Sequence, residues 1–550
     1  MSKIFLYDTT LRDGTQGEGF ELSVPEKLML AEKLDGFGVS YIEGGWPGSN
    51  PRDESFFKEA ASLRLKGAKL TAFGATRRFD QTCDADRSIQ ALLSAGTPAV
   101  TVFGKSSAFH VQNVLGIGPG NNLELISDSV RYLKARTDEV IFDAEHFFDG
   151  AREDENYAFE VLRAAVEGGA DYIVLCDTNG GSLPSYVTKM VDKAARLFEC
   201  PVGIHTHNDS ELAVANSVAA VESGATMVQG TINGLGERCG NANLISLIPA
   251  LQVKLGHHCV PAESLCGLTD LAHTVDELTN HIPMPSQAYV GRRAFAHKGG
   301  VHVNAVMKDS RSYEHLPPES VGNHRRILVS DLAGRSNIVM KARDFGIELD
   351  PEHPFTSRVL ERIKALEFDG YQFEGAEASL KLLMEEARGN RHEYFSVKEA
   401  TVTTSVTSEG SEAARAEAER SYARVVIGVG ERSYESAAKG NGPLHALGSA
   451  FREILEKSYP CVGSLRLTDY KVRILNSGMG MASTVRVLIR ASNGRESWGT
   501  VGVSTNVVEA SWRALVDAFE YILAKEGVVP TKWAEKPLEF KGEEMVECQA

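Results

Sequence analysis

The sequence predicts an α/β protein in three parts: a (β/α)8 TIM barrel, a helical connector, and a C-terminal α+β domain built from two βββα units. Three observations predict this order. Short apolar runs alternate with amphipathic helical patterns through the first half of the chain. The alternation stops near residue 271, where prolines interrupt helical stretches. Beyond residue 396, a strand-strand-strand-helix pattern occurs twice.

The barrel is predicted by eight β-like runs, spaced as strand-plus-helix units are. Helical patterns such as Glu26–Phe37, Asp154–Glu167 and Ser185–Phe198 lie between them. Eight such repeats favour a closed parallel barrel over a doubly wound sheet. We expect this domain over 1–270, with the helix after the eighth strand starting near Asn241. The runs are Ile4–Asp8, Tyr41–Gly44, Leu70–Gly74, Val100–Phe103, Val140–Asp143, Tyr172–Asp177, Val202–His205 and Met227–Thr231.

Residues 271–395 are predicted to form helical connector subdomains. Ile-Pro-Met-Pro at 282–285 and Leu-Pro-Pro at 316–318 break the helical stretches. Apolar residues persist throughout, so we expect a folded region rather than a disordered linker.

The C-terminal regulatory-type domain is predicted over 396–530, followed by a tail at 531–550. Its two units can pack as one pseudo-symmetric domain. Glu409–Arg420 is expected to be an exposed loop or a short helix. The predicted strands and helices are Val397–Val406, Tyr422–Val429, Ser433–Ala437 and Pro443–Leu455, then Leu465–Leu475, Thr484–Ala491, Gly499–Val503 and Val507–Leu523.

Composition limits the classes of function. With 550 residues and 43% hydrophobic content, the chain is expected to form two or three domains. Its net charge of −16 argues against nucleic-acid and membrane binding. No apolar run is long enough to span a bilayer, and no secretory signal is expected. The eight cysteines form no CxxC pattern, so a reducing cytoplasm is the expected location.

Polar residues gather where the predicted barrel strands end, the face that carries function in TIM barrels. His205 and His207 lie two residues apart on strand seven, so both imidazoles point the same way. Asp13 and Asn241 can reach the same point from adjacent loops, because strand eight closes onto strand one. Two imidazoles, a carboxylate and an amide oxygen suit Mg²⁺, Mn²⁺ or Zn²⁺. A pair of histidines hydrogen-bonded in a polar barrel mouth is the alternative.

Four more residues at these strand ends are candidates for chemistry. Arg12 keeps its charge and suits an anionic oxygen, even if it also pairs with Glu43. Glu145 is a candidate general base, with a salt bridge to a neighbouring helix as the alternative. Thr178 could donate to a substrate carboxylate or cap a helix.

Several motifs resemble those of the DRE-TIM metallolyases: DTTLRDG at 8–14, HTHND at 205–209 and GLGERCGN at 234–241. The acyl-CoA-condensing branch of that superfamily holds 2-isopropylmalate, homocitrate and citramalate synthases. AHKGGVH at 296–302, and YEH at 313–315 through VGN at 321–323, resemble its connector. GNGP at 440–443, with the double βββα unit, resembles its leucine- or isoleucine-sensing domain. FDAEHFFDG at 142–150, WGTVGVS at 498–504 and EASW at 509–512 resemble the citramalate synthase group.

The resemblance implies condensation of acetyl-CoA with pyruvate and water to give (R)-citramalate and CoA, in isoleucine biosynthesis. It implies that Asp13, His205, His207 and Asn241 hold a divalent metal ion that chelates pyruvate. Arg12 would stabilise the alkoxide that forms on the keto carbon.

The resemblance also implies roles for residues around the metal. Glu145 would take a proton from the acetyl methyl group, while Glu43 and Thr178 position substrate. His302 and Tyr313 would act in trans, since the family's connector inserts into the barrel of the partner. A homodimer or higher oligomer, inhibited by isoleucine or leucine, is therefore expected.

The nearest competing function is that of a 2-isopropylmalate synthase, which would use 2-oxoisovalerate. Strand ends near Thr76, Phe103 and Phe142 are candidates for this choice, because their bulk would favour a small methyl group.

Two more distant functions are disfavoured by particular residues. An aldol-type lyase is disfavoured, because residues 236–239 read Gly-Glu-Arg-Cys where the lyases carry Gly-Gly-Cys-Pro. A catalytically inactive amino-acid-binding protein is disfavoured by the intact Arg12, Asp13, His205 and His207.

Overall fold

A computed structural model describes residues 2–330, 332–350, 352–405, 421–475 and 483–529. The chain divides into two compact units, Met1–Phe295 with Leu316–Arg325 and Ala296–His315 with Arg326–Ala550. The first unit confirms the predicted barrel: its strands pair in parallel and in chain order, and β8 closes onto β1. The strands are β1 (Phe5–Asp8), β2 (Tyr41–Gly45), β3 (Lys69–Ala75), β4 (Ala99–Lys105), β5 (Glu139–Glu145), β6 (Tyr172–Asp177), β7 (Val202–Thr206) and β8 (Met227–Gly230).

The barrel is covered by helices on the outside and filled by side chains on the inside. Neighbouring strand residues point to opposite faces, so Leu6 packs outward in the helix-facing core while Tyr7 packs inward. Tyr41, Ile141 and Met227 join Tyr7 in the interior. The helices of this unit are α1 (Val24–Phe37), α2 (Pro51–Ala60), α3 (Arg87–Ser94), α4 (Ala108–His110), α5 (Pro119–Lys134), α6 (Phe147–Glu153), α7 (Glu155–Gly168), α8 (Pro184–Leu197), α9 (Ala213–Glu222), α10 (Leu244–Pro249) and α11 (Leu268–Leu278).

The helix after β8 begins at Leu244, not near Asn241 as expected. Asn243 caps it, because its side-chain oxygen accepts a hydrogen bond from the Ile245 N–H at 3.0 Å. Asn241 is thereby left in the loop before the helix, free of helical backbone constraints.

The connector predicted over 271–395 falls in both units: residues 271–295 and 316–325 belong to the first, and its remainder opens the second. Its expected helical character is confirmed. Two short strands, β9 (Ala296–His297) and β10 (Arg326–Ile327), pair in parallel and form the sheet of the connector, as far as its residues are described. The helices are α12 (Gly300–Lys308), α13 (Arg335–Asp344), α14 (Pro354–Phe368) and α15 (Glu377–Ala387).

Two βββα repeats complete the second unit, as predicted. Each repeat has a three-stranded antiparallel sheet with its second strand in the middle. Phe451 and Phe519, one from each repeat's helix, meet at a ring distance of 5.0 Å, so both repeats share one core. The elements are β11 (Ser396–Thr404), β12 (Ser421–Val429), β13 (Arg432–Gly440) and α16 (Pro443–Ser458), then β14 (Arg466–Ile474), β15 (Val485–Ser492), β16 (Ser497–Ser504) and α17 (Val507–Lys525).

Two predictions lie outside the described residues: the loop or helix at 409–420 and the tail at 531–550. Among the described helices, none combines the length and apolar character that crossing a membrane requires. Seven cysteines are described, and all of them are free thiols.

Candidate active site

Three side chains converge at the carboxyl end of the barrel. Asp13 Oδ2 lies 3.4 Å from His205 Nε2 and 3.9 Å from His207 Nε2. The two imidazole Nε2 atoms are 3.3 Å apart. All three residues are buried, and one atom from each could ligate the same ion. This donor set fits a divalent cation.

The backbone explains why these residues meet. His205 lies on β7 and His207 follows its last residue, so the two-residue period of a strand turns both rings to one side. Asp13 follows β1, and β1 pairs with β8, which pairs with β7. The three side chains therefore come from the place where the barrel closes, which we call the closing seam.

The charge states of these groups suit a metal site. Burial lowers the pKa of His205 to about 3 and also lowers that of His207, so both imidazoles are neutral at pH 7. Burial alone would raise the pKa of Asp13, but the Arg12 guanidinium and the two imidazoles hold it below its usual value. A neutral imidazole and an ionised carboxylate are the forms that bind metals.

A hydrogen-bond chain fixes the tautomer of His205. The Gln229 side-chain NH₂ donates to Asp143 Oδ1 at 2.9 Å, so its carbonyl oxygen is the atom that faces His205 Nδ1, at 2.9 Å. An amide oxygen only accepts, and Nδ1 therefore carries the proton. The lone pair of His205 is left on Nε2, the atom that points to Asp13.

Asn241 lies beside His207, to which it is joined by a β-bridge. Its side-chain NH₂ donates to the Leu235 carbonyl at 3.1 Å, while its buried Oδ1 accepts no hydrogen bond from the described residues. Gly236 makes room for this amide, since a Cβ there would lie 2.2 Å from Asn241 Nδ2. An anchored amide with an unpartnered buried oxygen fits the role of a fourth ligand.

Arg12 is held rigidly beside the triad. Its Nε donates to Glu43 Oε1 at 2.5 Å, and its guanidinium carbon lies 3.7 Å from the Phe73 ring centre. Glu43 is fully buried and accepts a second hydrogen bond from the Tyr7 hydroxyl at 2.6 Å. Burial alone would lower the pKa of Arg12, but Glu43 and Asp13 raise it above its usual value. Arg12 is thus both paired with a carboxylate and positioned for an anionic oxygen.

A cavity of about 180 Å³ opens onto these groups. Three of its lining residues form what we call the aromatic wall: Trp46, Phe73 and Phe103. Phe73 and Phe103 stack with ring centres 5.3 Å apart, and Trp46 meets them edge-on at 5.8 and 5.5 Å. The Trp46 Nε1–H is buried without a hydrogen-bond partner in the described structure.

Two of the expected specificity positions are wrong. Asp143 lines the cavity, and Phe142 does not. Because neighbouring residues of a strand point to opposite faces, Phe142 points outward into the helix-facing core. Thr76 lies beyond the end of β3 and also does not line it, whereas Phe73 on that strand does. Phe103 is the expected residue that the structure places in the cavity wall.

Glu145 and Thr178 also line the cavity. Glu145 forms an ion pair with Lys105 at 2.5 Å, because the β4–β5 register makes the two residues direct partners. The expected salt bridge thus occurs, with a neighbouring strand instead of a helix. Thr178 Oγ1 accepts a hydrogen bond from the His146 N–H at 2.8 Å and caps no described helix, leaving its hydroxyl proton free to donate.

His302 and Tyr313 belong to the second unit, not to the barrel unit that holds the remaining site residues. Their rings stack at a distance of 4.3 Å between centres, and 48% of Tyr313 is exposed. They form an exposed aromatic pair at α12 and the turn after it.

Sequence reasoning missed Gln229 and Trp46. Gln229 was detectable as the one amide side chain inside an otherwise apolar run, and the β7–β8 register places it opposite His205. Trp46 comes directly after β2 and was detectable as a large aromatic residue at a strand end.

Family models match three stretches of the chain: "HMGL-like" over residues 3–275, "Homocitrate synthase post-HMGL domain-like" over 289–370, and "LeuA allosteric (dimerisation) domain" over 374–523. Together they cover the barrel, the connector and the βββα repeats in the order described above.

Curated proteins of nearly equal length are similar to the chain. The (R)-citramalate synthase of Geobacter sulfurreducens is 51% identical over 96% of this chain and 98% of its own length. That of Aquifex aeolicus is 51% identical over 95% of this chain and 98% of its own. The 2-isopropylmalate synthase of Methanocaldococcus jannaschii is more distant, at 31% identity over 95% of both chains.

Proposed function

The chain belongs to the family of (R)-citramalate synthases, and on this premise we propose how its barrel mouth condenses acetyl-CoA with pyruvate and water to give (R)-citramalate and CoA. One observation carries the proposal: the atoms of Asp13, His205 and His207 that could bind an ion meet beside a fixed arginine. Asn241 supplies the fourth ligand through its unpartnered oxygen. A bound Mg²⁺, Mn²⁺ or Zn²⁺ would polarise the keto group of pyruvate and hold its carboxylate.

The chain's own residues handle the charges and the proton. Arg12 is turned toward the cavity by Glu43 and stabilises the negative oxygen that develops on the keto carbon. Glu145, on the same cavity wall, takes the proton from the acetyl methyl group. Thr178 donates a hydrogen bond from its hydroxyl group to the pyruvate carboxylate.

The aromatic wall supports pyruvate over a branched keto acid. Trp46, Phe73 and Phe103 bring three rings to one side of a cavity of about 180 Å³. A methyl group fits against such a flat surface, whereas an isopropyl group needs the volume that the rings fill. The 51% identity to (R)-citramalate synthases against 31% to a 2-isopropylmalate synthase favours the same choice.

A second cavity supports the binding of acetyl-CoA. It measures about 760 Å³ and shares Arg12, Gln16 and Trp46 with the smaller one. We propose that the pantetheine arm lies there, with the thioester at the shared wall.

We also propose that His302 and Tyr313 complete the site of a partner subunit. They are exposed, stacked and separate from the barrel unit, which suits action in trans. The matched dimerisation domain supports a homodimer or higher oligomer. The free thiols of the described cysteines support a cytoplasmic location.

Feedback inhibition by isoleucine or leucine, as part of isoleucine biosynthesis, is the regulatory part of the proposal. A cavity of about 250 Å³ in the βββα repeats is lined by Leu444, Leu465, Leu467 and Leu515, with Arg452 at its wall. The leucines suit a branched aliphatic side chain, and the arginine suits a carboxylate.

The test is thiol release from acetyl-CoA with a panel of keto acids, after chelation and reloading with Mg²⁺, Mn²⁺ or Zn²⁺. We expect metal-dependent release that favours pyruvate over 2-oxoisovalerate by at least about 10-fold in kcat/KM. Preference for 2-oxoisovalerate would instead indicate a 2-isopropylmalate synthase. Cleavage of a 3-hydroxy-3-methyl acyl-CoA would indicate a lyase, and no thiol release at all would indicate a binding protein.

A further inference from the structure

Glu145 has a second neighbour besides Lys105. His146 Nε2 lies 3.9 Å from Glu145 Oε1, while Lys105 Nζ pairs with the other carboxylate oxygen at 2.5 Å. The carboxylate therefore stands between a cation and an imidazole. Nothing in the proposed chemistry uses this imidazole.

The backbone of His146 is unusual for a residue with a side chain. Its φ of 59° and ψ of 31° lie in the left-handed region, at the junction between β5 and α6. Such a conformation is strained for a histidine, and it persists where the surroundings impose it. Here the Thr178 hydroxyl oxygen accepts the His146 N–H at 2.8 Å, so the strained residue is tied to the site wall.

The ring of His146 is also held in place. It stacks on His110 with ring centres 3.8 Å apart and planes 12° from parallel. The His110 ring thereby limits how the His146 ring can turn. Burial, with smaller contributions from His110 and Lys105, lowers the pKa of His146 to about 4 against the opposite effect of Glu145 and Asp149.

The two ring nitrogens of His146 have different surroundings. Nε2 faces the Glu145 carboxylate at 3.9 Å, which is longer than a hydrogen bond, so a proton on this nitrogen would point toward an acceptor. The opposite nitrogen, Nδ1, is buried and finds no hydrogen-bond partner within the described ranges. A buried ring nitrogen without a hydrogen bond lowers the stability of the fold. A residue that served packing alone would not need such a nitrogen, so this one calls for another explanation.

We propose that His146, braced by its stack on His110, is a positioning residue for Glu145. Its Nε2 stands 3.9 Å from one carboxylate oxygen and, with Lys105 paired to the other, limits how the carboxylate can turn, so that the base stays aimed at the acetyl methyl group. This role rests on the proposed condensation, in which Glu145 removes that proton.

The test uses substitutions that keep the left-handed backbone. His146→Gly accepts the same φ without strain but removes the ring, and His146→Asn tolerates the same φ with a polar side chain that is too short to reach Glu145. We expect H146G to lower kcat for thiol release by about 10- to 100-fold. KM for pyruvate should stay within about two-fold, because the metal ligands and Arg12 are untouched. H146N should show the same loss as H146G, whereas His146→Gln, whose amide nitrogen reaches the position of the histidine Nε2, should recover part of it.

Two further readouts separate positioning from folding. The deuterium isotope effect with trideuterated acetyl-CoA should rise in H146G, because proton removal becomes slower relative to the remaining steps. His110→Phe keeps a stacking ring and should keep the wild-type kcat. In His110→Ala, kcat should fall toward that of H146G. Unfolding temperatures of all variants check that each is folded.

Several outcomes would overturn the role of His146. These are a wild-type kcat in H146G, a loss confined to KM for pyruvate, an unchanged isotope effect with lowered kcat, or equal loss in H110F and H110A. If the wild-type enzyme itself releases no thiol with pyruvate, the condensation is what fails. If the wild-type enzyme condenses pyruvate and H146G does so at the same rate, only the positioning role is rejected.

Discussion

The two imidazoles at the end of β7 are the side chains on which the proposed chemistry most depends. We predict that His207→Ala lowers thiol release by about 100-fold or more, because the keto oxygen loses its charge stabilisation. Bound metal, measured by mass spectrometry after gel filtration, should fall below one ion per chain. His273→Ala, an exposed histidine on α11, is the matched control. Retained metal and activity in the His207 variant would reject the ligand assignment.

Gln229 gives a prediction that does not require turnover. Gln229→Leu removes the acceptor that fixes the His205 tautomer and the donor to Asp143. We predict a 10- to 100-fold weaker metal affinity, the usual loss for such an outer partner, measured by competition with a chromogenic chelator. Gln90→Leu removes a bonded glutamine from α3 and serves as the control. Unchanged affinity in the Gln229 variant would show that the tautomer is fixed by other means.

At the scale of the element, β3 and β4 carry two residues of the aromatic wall, Phe73 and Phe103. We predict that Phe103→Leu raises the kcat/KM ratio of 2-oxoisovalerate to pyruvate by about 10-fold, because it opens space beside the keto acid. Phe142→Leu is the matched substitution on the outward face of β5, and it should leave the ratio unchanged. A shift of equal size in both variants would assign the effect to loosened packing instead of the cavity wall.

The elements were predictable from the sequence, and the side-chain partners were largely not. The eight strands follow from apolar runs, and the strand period fixes that His205 and His207 face one way. The same period also shows that Phe142 cannot join Asp143 in the cavity, so that error was avoidable. The Glu145–Lys105 pair and the His110–His146 stack depend on strand register and on a left-handed turn, which no local pattern reports.

A charged cluster joins α15 to α17 in the second unit. Arg391 contacts Glu386, Asp517 and Glu520, and the Ser379 hydroxyl donates to Asp517 at 2.6 Å. Burial raises the pKa of Asp517 to about 6, against the lowering effects of Ser379 and Arg391. The folded chain thus binds this proton more tightly than the unfolded chain does.

This cluster predicts a pH dependence. The stabilisation from the protonated Asp517 is complete below about pH 4 and is lost as pH rises through about 6. We predict that Asp517→Asn, which keeps an acceptor for Ser379, raises the unfolding temperature relative to wild type more at pH 7 than at pH 4.5. Differential scanning fluorimetry across this range measures it. An equal difference at both pH values would contradict the prediction.

At the scale of the molecule, the second unit does not divide cleanly at residue 395. Val501 on β16 is packed in the same apolar cluster as Ile338, Phe355 and Leu380 of the connector helices. A chain cut at 395 would expose that cluster, so its loss of regulation would not distinguish a missing effector site from misfolding.

A point substitution tests the regulation of the whole enzyme instead. A Cβ on Gly448 would meet no atom closer than 3.5 Å, so Gly448→Leu can fill the proposed effector cavity. We predict that this variant keeps thiol release but loses inhibition by isoleucine and leucine at any concentration that inhibits wild type. Gly448→Ala leaves most of the cavity open and should stay sensitive. Full inhibition of the leucine variant would place the effector elsewhere.

The closing seam has a consequence for synthesis of the protein. Asp13 leaves the ribosome early, yet His205, His207 and Asn241 emerge only after six strands have been made. A nascent chain therefore holds one of the four proposed ligands for most of the translation of its barrel. The ion can therefore bind to its full set of proposed ligands only after the last strands of the barrel have been made. Metal binding by a nascent chain would thus report that its barrel has closed.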